Sequence, residues 1–161
     1  MSVGDPADQP HALVEPEAVF EGLDVDAPRV GIVMQSKREL PTMEQAEREL
    51  RELGIRSEVR VMPLHRDPQL VADYARNARM RGLRVIIAGA GLAAALPGIV
   101  AANTDLPVIG VPLSSSGSVA GGLDALLSIV QMPHGLPVAT VGVDNARNAA
   151  LLAARILGAG A

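Results

Sequence analysis

The feature that most constrains the fold of this sequence is a repeated alternation between short runs of β-branched residues and longer segments with helical periodicity. The alternation begins at Arg29 and continues almost to the end of the chain. Because each apolar run is short and a helical pattern follows it, the sequence predicts βαβ units around a parallel sheet. The predicted strands cover residues 30–34, 58–62, 84–88, 107–111 and 137–143.

The helices between these strands have recognisable ends. Pro41 is predicted to begin the first helix, because the N–H group that proline lacks has no hydrogen-bond partner in the first turn of a helix. Gly54 is predicted to end this helix. Helices on both faces of five strands predict an α/β fold, a flavodoxin-like three-layer sandwich with a five-stranded parallel sheet. Such sheets bind ligands at the carboxyl ends of their strands, so we expect a site in the loops after the first four strands.

Composition limits the number of domains. With 161 residues and 48% hydrophobic content, the chain is long enough for one buried core. Residues 1–28 are rich in acids, contain four prolines and have no sustained periodicity. They predict a flexible acidic N-terminal segment ahead of a single α/β domain over residues 29–161.

Charge and residue usage exclude several classes of function. The net charge is −4 and the basic residues are spread among the acids, so nucleic acid is not expected as a partner. Glycine, proline or asparagine interrupts every apolar stretch well below the roughly 18 residues of a spanning helix, so no membrane association is expected either. The chain has no cysteine, and its three histidines are scattered, so we expect no metal site and a cytoplasmic location.

Polar residues suited to a ligand follow the first two predicted strands. Ser36 and Arg38 lie before the first helix, where backbone N–H groups and the helix dipole favour an anion; a capped, solvated turn is the alternative. His65 and Arg66 follow the second strand. Histidine can act as acid or base near neutral pH, and arginine offers planar donors to an anion. An ordinary surface histidine is the alternative.

Small and hydroxylated residues follow the third and fourth strands. The segment 89–98 would let backbone approach a ligand closely, although tight helix–sheet packing explains it equally well. Its spacing and its place after the third strand argue against a dinucleotide site. Ser114 opens a hydroxyl-rich loop that either binds a ligand or links two elements. The strongly apolar segment 126–132 suggests burial against another subunit.

Together these segments resemble the PurE family of carboxyaminoimidazole ribonucleotide mutases, from about residue 29 to residue 158. The blocks that carry the resemblance are Val30-Gly31-Ile32-Val33-Met34 before Ser36, His65-Arg66-x-Pro68, Ile86-Ile87-Ala88-Gly89-Ala90-Gly91, Leu96-Pro97-Gly98, Pro107-Val108-x-Gly110-Val111-Pro112 and Ser128-Ile129-Val130-Gln131-Met132-Pro133. The combination of the Ala-Gly-Ala-Gly and Gln-Met-Pro blocks makes the resemblance specific.

The resemblance implies an octameric enzyme of purine synthesis that uses neither a metal nor an organic cofactor. It implies a small anionic substrate, on which carbon dioxide moves from the exocyclic nitrogen of an aminoimidazole ribonucleotide to ring carbon four. His65 matches the family's general acid and base, and Arg66 matches an arginine that helps to hold the phosphate. The candidate substrate-binding residues are Ser36, Arg38, Glu39, Arg66, Gly89, Ala90, Gly91, Ala95, Leu96 and Ser114.

Several positions depart from the family's pattern. Arg38 and Glu39 replace a phosphate-binding serine and a ribose-binding aspartate, and Pro63 and Leu64 replace Ser-Ala before the catalytic histidine. Ala95 replaces a second histidine, and the loop after the fourth strand is longer. Because about 1 Å of misplacement in a site can cost a hundredfold in rate, these changes argue against unmodified family activity.

Three interpretations remain open on the sequence. The favoured one is a divergent enzyme that moves a carboxyl group on an aminoimidazole ribonucleotide or a related heterocycle. The first alternative is an authentic carboxyaminoimidazole ribonucleotide mutase of purine biosynthesis. The second is a protein that binds a small ligand or assists assembly without catalysis.

Overall fold

In the computed structural model, which describes residues 26–159, five strands alternate with five α-helices. The strands are β1 (Val30–Met34), β2 (Ser57–Val61), β3 (Val85–Gly91), β4 (Val108–Leu113) and β5 (Ala139–Thr140). The helices are α1 (Leu40–Glu52), α2 (Pro68–Arg76), α3 (Leu96–Ala101), α4 (Leu123–Val130) and α5 (Ala146–Ala159). The N-terminal segment predicted over residues 1–28 lies outside the described residues except for its last three.

All five strands are parallel and form one sheet in the order β2-β1-β3-β4-β5. Helices α1 and α5 pack against each other on one face of this sheet. Helices α2, α3 and α4 supply the hydrophobic cluster on the other face. The predicted flavodoxin-like three-layer sandwich is therefore confirmed.

Alternate residues of the strands serve the two hydrophobic layers. In β3, Ile86 and Ala88 belong to the layer beneath α2–α4, whereas Val85 and Ile87 belong to the layer beneath α1 and α5. All four are fully buried, as expected for a parallel sheet that is covered on both faces. The core consists almost entirely of aliphatic side chains.

One polar cluster anchors α2 to the edge strand β2. The Tyr74 hydroxyl donates a hydrogen bond of 2.8 Å to the Glu58 carboxylate, which also accepts one of 2.6 Å from Arg81. The Arg81 guanidinium lies 4.4 Å from the centre of the Tyr74 ring. Burial, together with the neighbouring Glu58 carboxylate, raises the pKa of Tyr74, so its hydroxyl remains a donor. These bonds fix the two elements that flank the loop of His65.

Candidate active site at the carboxyl edge of the sheet

The loops that follow β1 to β4 meet at the carboxyl edge of the sheet. The loop after β1 leads to α1 on one face, while the loop after the adjacent β3 leads to α3 on the opposite face. In sheets of this strand order, ligands bind in the crevice where the loops diverge in this way, which here would lie between β1 and β3. Because β1 and β3 separate β2 from β4, the loops after β2 and β4 begin about 14 Å apart.

The first loop is held by Glu39. Its carboxylate accepts hydrogen bonds from the backbone N–H groups of Gln35, at 2.8 Å, and Ser36, at 3.1 Å. Burial raises the pKa of Glu39, and the two N–H groups partly oppose that effect. The Glu39 carboxylate therefore occupies two of the backbone N–H groups that, on the sequence alone, were expected to bind an anionic ligand. Arg38, by contrast, is exposed.

The second loop presents His65 and Arg66 to solvent. Buried Leu64 anchors it from below, and the Arg66 N–H closes a turn by donating to the Pro63 carbonyl at 2.9 Å. Asp67 then caps α2 by accepting from the N–H of Leu70 at 3.0 Å. The side chains of His65 and Arg66 form no hydrogen bond or ion pair within residues 26–159, so both are available to a ligand.

The third loop begins later than the sequence predicted, because β3 continues to Gly91. Gly89 and Ala90 lie inside the strand, and a Cβ atom built on Gly89 would overlap the Met43 sulfur. Close packing therefore accounts for the absence of a side chain at Gly89. The side chain of Leu96 is fully buried, whereas Gly91 and Ala95 are half-buried at the edge.

The fourth loop is hydrogen-bonded to the segment that follows β5. The Asp144 carboxylate accepts hydrogen bonds from the backbone N–H of Ser114, at 2.9 Å, and from the Ser114 hydroxyl. The sequence predicts Ser114 as a candidate binding residue but does not indicate its partner Asp144. The available signal was an acid directly after the last predicted strand, but an Asp-Asn pair there is also typical of a helix start.

The positive charges of the molecule are distributed unevenly. All 14 lysine and arginine residues lie within the described part of the chain, and eight arginines form ion pairs with carboxylates there. Three of the cations without such a partner follow β1 and β2: Lys37, Arg38 and Arg66. An anionic group would find uncompensated positive charge at this end of the crevice.

A surface cleft of about 490 Å³ lies at the opposite, amino edge of the sheet. Arg51 and Arg56 line it, but they are paired with Glu47 and Asp26 respectively. Its cations are therefore largely neutralised, which makes this cleft a poorer site for an anion than the carboxyl edge.

No group of three or more potential metal-ligating side chains occurs within residues 26–159. No helix in that range is both long and apolar enough to cross a membrane.

Comparison with known proteins assigns the family. The AIR carboxylase family model matches residues 29–161. An N5-carboxyaminoimidazole ribonucleotide mutase of Pyrococcus horikoshii is 57% identical over 133 residues, which cover 83% of this chain and 74% of that protein. Those of Thermotoga maritima and Mycobacterium tuberculosis are also 57% identical, over 81% and 83% of this chain and 75% and 76% of their own lengths.

A solved structure supports the same assignment. The crystal structure of Treponema denticola PurE superposes with a TM-score of 0.71 and 31% sequence identity, over 81% of this chain and 80% of that one. The family resemblance inferred from the sequence blocks is thus confirmed. The chain belongs to the AIR carboxylase, or PurE, family and is a PurE-type enzyme.

Proposed function

We propose that this enzyme is an N5-carboxyaminoimidazole ribonucleotide mutase. The observation that carries the proposal is the group of unpaired cations, Lys37, Arg38 and Arg66, beside the crevice between β1 and β3. A ribonucleotide phosphate is an anion that such a group would bind. Three relatives at 57% identity that carry the mutase name support the same substrate.

This proposal is the first alternative of the sequence analysis, and the comparisons support it better than the altered substrate that the sequence analysis favoured. The departures at Arg38 and Glu39 are compatible with it. An arginine in place of a serine exchanges a neutral hydrogen-bond donor for a charged one, which strengthens phosphate binding. Glu39 stabilises the loop on which Arg38 stands.

In the proposed reaction, His65 transfers a proton in both directions. The bond between the exocyclic nitrogen and the carboxyl carbon breaks, carbon dioxide leaves, and His65 donates a proton to that nitrogen. Ring carbon four then attacks the carbon dioxide, and His65 takes the proton that this carbon loses. The side chain ends the cycle in its starting state, so a single residue suffices for general acid and base.

Replacement of His65 by asparagine tests this role. His65→Asn should preserve the fold, since the side chain is exposed and unpaired, and should lower kcat by about 10²–10⁴-fold. The measurement is the rate at which N5-carboxyaminoimidazole ribonucleotide is converted to its 4-carboxy isomer. His134→Asn is the matched control, because it changes the other exposed histidine of the described chain and should leave kcat unchanged.

Two results would contradict the proposal at different points. Equal rates for wild type and His65→Asn would remove His65 from the mechanism but leave the mutase activity intact. If the wild type fails to convert the ribonucleotide, the mutase proposal fails. The interpretations to test next would then be a related carboxylated heterocycle and a non-catalytic protein.

Assembly is a further part of the proposal. The exposed apolar side chains of α4 support association into a homo-oligomer, which we propose to be an octamer.

A further inference from the structure

Asp144, in the segment between β5 and α5, is joined to the end of β4 by three hydrogen bonds. Its backbone N–H donates to the carbonyl of Pro112 at 2.8 Å. Its carboxylate accepts from the N–H and the hydroxyl of Ser114. Asp144 is also held at a φ of +56°, a conformation that costs a non-glycine residue on the order of 1 kcal/mol. These bonds offset a strained backbone, so the conformation is maintained by the contacts it makes.

The loop that Asp144 holds has a second contact with the segment that follows β5. Gly122, at a φ of +104°, brings the backbone so near to Val143 that an added Cβ would lie 2.9 Å from the valine Cγ1. Within the loop, the Ser115 N–H donates to the Ser118 hydroxyl at 2.8 Å, and the Val119 N–H donates to Asp124 at 3.0 Å. The segment 114–122 is therefore fixed at both ends and braced between them.

This braced segment also lies close to the loop after β3, which borders the crevice. A Cβ built on Gly117 would lie 3.6 Å from a methyl group of Leu92, which follows β3. Gly91 and Leu113 are paired in the sheet, so Ser114 begins beside Leu92. The segment 114–122 thus lies beside the loop that follows β3.

The bond to Asp144 determines what Ser114 can offer to a ligand. A serine hydroxyl has one proton, and here that proton points to the Asp144 carboxylate. The oxygen has lone pairs left, so it can accept a hydrogen bond from a ligand but cannot donate one. Its negatively charged partner would in addition repel a phosphate. Ser114 is therefore suited to a hydroxyl or amino group of the ligand.

We propose that Asp144 is a positioning residue, which fixes the loop of Ser114 against Leu92 and holds the Ser114 oxygen as an acceptor for a ligand hydroxyl or amino group. The proposal rests on the proposed function in taking the aminoimidazole ribonucleotide as the ligand. In this arrangement the phosphate of the ribonucleotide would lie near the cations after β1 and β2. A neutral hydrogen-bond donor of the same ligand, a hydroxyl or amino group, would lie near Ser114 after β4.

Two substitutions of Asp144 separate its backbone from its carboxylate. Asp144→Gly removes the carboxylate but tolerates positive φ and keeps the N–H bond to Pro112, so the fold should persist. Asp144→Asn supplies one acceptor and one donor in place of two acceptors. If the oxygen of the introduced amide accepts the hydrogen bond from the Ser114 N–H, the NH₂ group of the amide faces the Ser114 hydroxyl oxygen. The hydroxyl then keeps its proton but has no acceptor for it at residue 144, so it can donate elsewhere. Asp105→Asn is the control, because Asp105 is exposed and pairs with Arg79 away from this edge.

Hydrogen exchange and steady-state kinetics test the two halves of the proposal. Exchange at the Ser114 amide should accelerate about tenfold in Asp144→Gly, as expected for the loss of one hydrogen bond. KM for N5-carboxyaminoimidazole ribonucleotide should rise by a similar factor in Asp144→Gly and Asp144→Asn while kcat is largely retained. Ser114→Thr, which keeps the hydroxyl, should retain the wild-type KM, and Ser114→Ala should not.

Unchanged exchange in Asp144→Gly would overturn the positioning role. Faster exchange with unchanged KM would overturn the claim that this loop faces the ligand. If wild-type enzyme neither binds nor converts the ribonucleotide, the proposed function fails, and the ligand half of this proposal fails with it. The exchange rates would still decide whether Asp144 holds the loop.

Discussion

At the scale of single residues, the neighbouring charged side chains Arg38 and Glu39 have different roles in the first loop. Glu39 directs its carboxylate to the backbone, and Arg38 makes no side-chain hydrogen bond or ion pair among the described residues. The sequence could place both at a strand end, since the pattern before them predicts β1 correctly. It could not indicate that Glu39 binds its own loop, because a carboxylate three residues after a serine suits either a cap or a ligand.

Arg38→Ala tests whether that free guanidinium binds the substrate. We expect binding of the ribonucleotide to weaken by about 1.5–3 kcal/mol, the usual range for a hydrogen bond to a charged group, with no loss of folding stability. Isothermal titration calorimetry measures the effect. Arg155→Ala is the control, since Arg155 is also exposed and without a described carboxylate partner but lies on α5. Equal affinities of Arg38→Ala and wild type would exclude Arg38 from the anion site.

The hydrogen bonds of Glu39 predict how its replacement changes the stability of the fold and the dependence of that stability on pH. Glu39→Ala leaves two N–H groups without their acceptor and should lower the free energy of unfolding by about 1–3 kcal/mol, whereas Glu39→Gln keeps an acceptor and should cost less. Because burial raises the pKa of Glu39 above its ordinary value of 4.5, the folded state binds the proton more tightly than the unfolded state. Wild type should therefore lose stability relative to Glu39→Gln as pH rises from 4.5 through the raised pKa.

Urea denaturation of the three proteins between pH 4 and pH 8 measures these differences, on the order of 1 kcal/mol per hydrogen bond. A stability difference between wild type and Glu39→Gln that grows in favour of wild type with rising pH would contradict the assigned direction. Equal stability of Glu39→Ala and wild type would contradict the structural role.

At the scale of elements, hydrophobic periodicity predicted β1 and the centres of the other strands, but not all of their ends. β3 and β4 extend beyond the predicted positions 88 and 111, because Gly91 and Leu113 pair across the sheet although glycine and proline there resemble strand breakers. β5 has only two residues where seven were predicted. It is an edge strand bonded to β4 alone, and Pro137 cannot donate to the sheet.

Helix α1 shows the same limit. Met43, Ala46 and Leu50 are fully buried, whereas Leu53, three residues further along the same helical spacing, is the C-cap residue and is 46% exposed. Ends of elements depend on tertiary contacts, which the local pattern does not contain. The same reason explains why Asp144 was missed: its partner Ser114 is 30 residues away in the sequence.

Gly110 in β4 shows how closely an element can pack. A Cβ added there would overlap a methyl group of Ile129 on α4 and lie 3.4 Å from Val138. Gly110→Ala should therefore lower the free energy of unfolding by about 1–3 kcal/mol through overpacking. In Gly158→Ala, the control in α5, an added Cβ meets no atom within 4 Å, so stability should not fall. Thermal unfolding compares the two, and equal melting temperatures for both variants would contradict this packing.

At the scale of the whole molecule, α4 leaves an apolar face without a partner in the single chain. Leu123, Leu127 and Val130 are 44%, 49% and 51% exposed, at positions four and three residues apart that share one side of the helix. The preceding Val119 is 67% exposed. A continuous apolar face of this kind on a small domain is typical of a subunit interface, and the sequence had already indicated one at residues 126–132.

Light scattering of the purified protein tests the assembly. We expect a particle of eight chains of 16.7 kDa each, and a monomer would contradict the proposal outright. Leu127→Glu should break the assembly, because a charge buried in an apolar interface without a partner costs several kcal/mol. Met80→Glu is the matched control: Met80 is 76% exposed in a turn after α2, apart from the α4 face, so its replacement should leave the particle intact. Assembly that survives Leu127→Glu but is lost in Met80→Glu would move the interface from α4 to that turn.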